Sequence, residues 1–127
     1  MSGEPDQFDL DGAMLRRSDV ELRAFMEALA VRLEGAMPGR VEVERKRDGL
    51  LSQTKHVVRI AVRGERAVYE LVRSKAGLAA NRAKLVRGVN ISSSSLSARE
   101  WLAEVRAELQ TMAEQAGSAS DALHGFL

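Results

Sequence analysis

The chain has no cysteine, two histidines, two prolines, one tryptophan and one tyrosine. The missing thiols exclude disulfides, thiol nucleophiles and Cys-ligated zinc, and they suit a reducing cytoplasm, which is the compartment expected here. His56 and His124 stand in different segments without HxxxH or HxH spacing, so no metal site is expected. No apolar run approaches the roughly 18–20 residues that cross a bilayer, so no membrane association is expected. Met1 to Gly12 holds Glu4, Asp6, Asp9 and Asp11 with no base, the reverse of a signal peptide. The glycines form neither GxGxxG nor a Walker loop, and Ser92 to Ser95 lack the flanking glycines of a nucleophile elbow. Glu42 and Glu44 project to one side of a strand, but beside Arg45, Lys46 and Arg47 they read as surface ion pairs. No catalytic residue and no cofactor is therefore expected. An enzyme would need a pocket that brings His56 near a carboxylate, and the sequence predicts none.

What is present fits one globular domain: 127 residues, of which 45% are hydrophobic, enough to bury a core without staples. A composition rich in Arg, Ala, Val and Gly and poor in Asn and Ile fits GC-rich coding and a bacterial source. The net charge of +1 hides a segregation along the chain. Met1 to Gly12 carries −4, and Ala13 to Gly39 balances four bases against four acids. Arg40 to Arg87 has thirteen bases against five acids, and Gly88 to Leu127 returns −3. A basic middle thus lies between acidic flanks.

Residues 1–17 read as an acidic flexible arm, either a solvated tail or a cover for the basic middle, and 18–127 as a single α+β domain. Ser18-Asp19-Val20-Glu21 is a capping box that opens a helix. Leu22, Phe25, Met26, Leu29, Leu33, Ala36 and Met37 form its apolar stripe, and Pro38-Gly39 ends it. The period then changes to two at Val41 and Val43, the start of a first strand. A second strand is predicted over Lys55 to Arg63, with Val58, Ile60 and Val62 inward. A third runs from Ala67 to Arg73, with Tyr69 and Leu71 inward. A long fourth runs from Leu78 to Ile91, bulged at Gly88. Ser92 to Ser95 read as a loop. Ser97-Ala98-Arg99-Glu100 is a second capping box, and the helix after it carries Trp101, Leu102, Val105, Leu109 and Met112 until Gly117 stops it. Ala119, Ala122, Leu123 and Phe126 are spaced to dock on the core. The expected fold is α+β: a four-stranded antiparallel meander with an N-terminal and a C-terminal helix packed on one face, in the order α-β-β-β-β-α.

That parity leaves Val57, Arg59, Ala61, Arg63, Val68, Glu70 and Val72 on the outer sheet face. A face mixing valines with arginines is more apolar than one given wholly to water, which points to a protein partner or a second copy of the chain. The partner-binding candidates are Arg59, Ala61, Arg63, Val68 and Val72. The expected function is a non-catalytic, adaptor- or chaperone-like interaction module. The competing reading is a nucleic-acid-binding protein, in which Arg82, Lys84 and Arg87 join Arg59 and Arg63 in a stripe that contacts phosphates. That reading lacks the stacking aromatics of a single-strand platform, since the basic middle holds only Tyr69.

Pro38-Gly39-Arg40-Val41-Glu42-Val43-Glu44-Arg45, His56-Val57-Val58, Leu85-Val86-Arg87-Gly88-Val89 and Glu100-Trp101-Leu102 together resemble a family of small bacterial α+β proteins with no assigned activity. The resemblance spans about Ser18 to Leu127 and implies the same fold without implying a reaction. The layout of helix, antiparallel sheet and helix is also similar to secretion-chaperone-type dimers, in architecture alone.

Overall fold

A computed structural model describes residues 19–124, with side chains described for 19–116. The acidic arm, the Ser18 cap and the expected docking of Ala119, Ala122, Leu123 and Phe126 lie outside what is described. Helix α1 (Asp19–Ala36) leads into strands β1 (Val41–Arg47), β2 (Lys55–Arg63), β3 (Ala67–Ser74), β4 (Gly77–Val86) and β5 (Val89–Leu96), followed by helix α2 (Ala98–His124). Every strand pairs antiparallel with its neighbour in the order β1-β2-β3-β4-β5. The fold is α+β with both helices on one face, and its sheet has five strands where four were expected.

The extra strand comes from a hairpin at Arg87-Gly88. Both residues have positive φ, 53° and 80°, the backbone of a two-residue hairpin turn whose twist matches the flanking strands. The expected bulge at Gly88 is therefore a reversal of the chain, and Ser92 to Ser95 form a strand along β4 rather than a loop. Space around Gly88 is open, so a substitution there meets only a conformational penalty. Gly88→Ala should lower stability by about 1 kcal/mol, read as a shift in the denaturation midpoint.

The second capping box forms as expected. The Glu100 amide donates to Ser97 Oγ at 3.0 Å, and the Ser97 amide donates to Glu100 Oε1 at 3.1 Å. The helix then runs through Gly117 to His124 instead of stopping there. A glycine costs a helix only about 1 kcal/mol relative to alanine and ends it only by turning left-handed.

The core gathers Met26, Ala30 and Leu33 of α1 and Trp101 and Val105 of α2 over Ile60, Val62, Tyr69, Leu71 and Ala80 of the sheet. Helix α1 lies over β1 and β2, and α2 lies over β4. The expected parity holds for Ile60, Val62, Tyr69 and Leu71 and fails at Val57, which is fully buried in this core. Arg59 pairs with Glu44 while Val57 pairs with Arg45, so Val58 is an extra residue in β2. A bulge of this kind reverses which side chain points inward. Val57 turns to the helices, and regular alternation along β2 resumes at Arg59.

Candidate functional site

The register assembles the outer face from alternate residues of each strand. Arg59, Ala61 and Arg63 of β2 lie opposite Val72, Glu70 and Val68 of β3. Those three in turn oppose Ala79, Asn81 and Ala83 of β4. The five partner-binding candidates, Arg59, Ala61, Arg63, Val68 and Val72, thus fall on one face of two adjacent central strands. Neither helix covers that face. Val68 and Val72 are half-buried, Arg63 is exposed, and Ala61 is buried without belonging to the core. Two adjoining depressions flank Val68. One, about 330 Å³, reaches Arg40, Glu42 and Arg63; the other, about 270 Å³, reaches Arg59, Leu85 and Ser93.

The charge on this face is mixed. Arg59 Nε donates to Glu70 Oε2 at 2.6 Å, and Lys46 Nζ lies 3.8 Å from Glu44. Glu42, Arg63 and Arg40 line the same side, so four bases stand against three acids there.

Arg82 and Lys84 lie on the opposite face from Arg59 and Arg63. Arg82 pairs in register with Tyr69 and Lys84 with Ala67, both of which are buried toward the helices. Arg82 Nη1 donates to Glu104 Oε1 of α2 at 2.6 Å, and that bond raises its pKa further. Burial pushes the Tyr69 hydroxyl above the ordinary tyrosine range, with Glu104 and then Glu108 adding to the push. Arg87 sits in the β4–β5 turn. The five arginines and lysines of the expected stripe are thereby divided among two faces and a hairpin tip.

The same geometry pairs part of the basic middle with acids of the helices. Arg45 lies 3.8 Å from Glu34, Arg73 lies 3.5 Å from Asp19, and Arg82 meets Glu104. In each pair a base of the sheet faces an acid of a flanking helix. Solvent-accessible pairs of this kind contribute little stability, about 0–1 kcal/mol each, and they offset three of the thirteen bases of the middle.

One feature the sequence did not predict is a carboxylate beside His56. Its Nδ1 stands 2.7 Å from Asp48 Oδ1, and Asp48 lies 3.8 Å from Arg23, itself bonded to Asp19 at 2.8 Å. The signal was the register: Lys46 opposes His56, so Asp48, two residues on, projects from the same side. Among the described residues Asp48 is the partner His56 has, so the imidazole is oriented without a hydroxyl or thiol to deprotonate. The neighbouring depression, about 470 Å³, is lined by Arg23, Lys46, Arg47, Arg73 and Lys75 with Asp19 and Asp48, not by His56. Among the described residues no group of three His, Cys, Asp or Glu is placed to hold a metal, and no helix is long and apolar enough to cross a membrane. No family model, curated protein or solved structure matches the chain.

Proposed function

We propose that the chain is a non-catalytic protein-binding module, adaptor- or chaperone-like, that receives a protein partner on the outer face of its sheet. The observation that carries this reading is the placement of both helices on one side, which leaves Val68 and Val72 half-buried among mixed charges on a face that neither helix covers. Apolar groups ringed by ion pairs are the usual make-up of a non-obligate protein interface. A phosphate-binding surface would need a large positive surplus instead, and the three acids on this face leave its four bases a surplus of only one. The test is recovery of partners from the native cell with the wild-type chain and with Arg63→Glu combined with Val68→Gln. Both positions are on the outer face, so the melting temperature should move by only a few degrees while the partner's affinity falls by about tenfold or more. Equal recovery by both chains would rule the surface out. Binding to DNA or RNA that weakens steeply with salt and falls in Arg59→Ala with Arg63→Ala would instead favour the nucleic-acid reading.

A further inference from the structure

We infer that β5 is a self-pairing edge, through which two copies of the chain join antiparallel along Val89–Leu96 and merge their sheets into one. β5 is the outermost strand beside β4. Seven of its eight residues are exposed, and Leu96 is half-buried, so no described part of the chain covers it. An edge strand presents a row of unpaired backbone amides and carbonyls, and proteins that stay monomeric blunt such rows with charges or proline. The other edge follows that rule: β1 reads Val-Glu-Val-Glu-Arg-Lys-Arg. β5 reads Val-Asn-Ile-Ser-Ser-Ser-Ser-Leu, with neither a charge nor a proline. Its one irregularity is a bulge near Ile91, opposite Lys84 and Leu85, after which Ser92 to Leu96 pair in unbroken register.

The composition favours a second copy over another partner. In an antiparallel pair about a two-fold axis perpendicular to the sheet, a residue near the centre of the strand faces its own counterpart across the seam. A charge there would meet itself. β1 joined in this way would oppose Glu44 to Glu44, whereas β5 opposes serine to serine, a pairing that hydroxyl hydrogen bonds stabilise. The arrangement also covers apolar surface. Val89 and Ile91 are 62% and 55% exposed, at the hairpin end of β5. Pairing centred on the serine run carries that end against the partner copy's Leu96 end. The axis leaves both outer faces on the same side, so this inference stands whether or not that face receives a partner.

The test measures the mass of the full chain by light scattering across a concentration series, for wild type, Ser93→Lys, Ser93→Glu and an equimolar mixture of the two variants. Ser93 is exposed, so both variants should fold. Wild type should reach twice 13.9 kDa. Each variant alone should dissociate at concentrations about tenfold higher or more, because like charges then meet at the seam, and the mixture should recover the doubled mass. A wild-type chain of single mass at every concentration overturns the inference. So does a dimer that neither variant weakens, or one that dissociates only in Arg63→Glu, which would place the contact on the outer face. A monomer that captures an added extended peptide along β5 would overturn it as well.

Discussion

Trp101→Ala should cost the fold about 3–5 kcal/mol, the range found when a large buried aromatic is truncated and its cavity only partly collapses. Trp101 has no exposed surface and heads the fully buried side chains by volume. It stands in the first turn of α2, where the Ser97–Glu100 box fixes the start of the helix, and joins the cluster that holds Met26 of α1 and Leu71 of β3. Its removal therefore loosens the contact between α2 and the sheet as well as leaving a void. Among the described residues the buried indole Nε1 has no hydrogen-bond partner, which makes Trp101→Phe informative. The smaller ring loses contacts but also removes an unsatisfied donor worth about 1–3 kcal/mol, so Phe should cost well under half of what Ala costs. Urea unfolding followed by far-UV circular dichroism would measure both, with an unchanged m-value showing that the same surface is exposed. An Ala variant within about 1 kcal/mol of wild type that loses a partner would make Trp101 a binding-site aromatic instead of a core anchor.

The features legible in the sequence are those with a local cause. The second capping box needs only Ser97 and Glu100 at the right spacing. The limits of β2, Lys55 and Arg63, follow from alternation between two turns, and so does the parity of β3, where Tyr69 and Leu71 face the helices. The features missed depend on a neighbour. Nothing in Val57-Val58 tells which valine enters the core, because the extra residue is defined only against β1. Arg87-Gly88 lacks the Asn-Gly or Asp-Gly signature of such a hairpin, and apolar residues on both sides disguise the reversal as one strand. The serines of β5 carry no apolar period, so only pairing with β4 makes them a strand. The outer-face candidates were legible because they lie beyond the bulge, on the stretch of β2 where alternation is regular. Arg82 and Lys84 were grouped with Arg59 and Arg63 by charge alone, and strand parity separates them.

The bulge that separates Val57 from Arg59 is held by side chains of a helix and of the neighbouring strand. Glu27 Oε1 of α1 accepts the Val57 amide at 2.8 Å, and Arg73 Nε of β3 donates to the Val57 carbonyl at 3.4 Å. Both backbone groups of a fully buried residue are thus satisfied by side chains, as the cost of an orphaned amide in the core requires. Glu27→Ala should lower stability by about 2 kcal/mol, since it strands that amide without a partner. Glu27→Gln keeps a carbonyl oxygen in reach and should cost less than half as much. Hydrogen exchange gives the sharper readout: the Val57 amide should lose protection in the Ala variant and keep most of it in Gln, beyond the change common to the whole core. A Val57 amide equally protected in both variants would mean that another group holds it. The consequence reaches the outer face, because a one-residue slip in the register of a strand exchanges its two faces. Arg59, Ala61 and Arg63 stay on the open side of the sheet only while Val58 remains the extra residue, so a carboxylate on the covered side keeps the uncovered side in place.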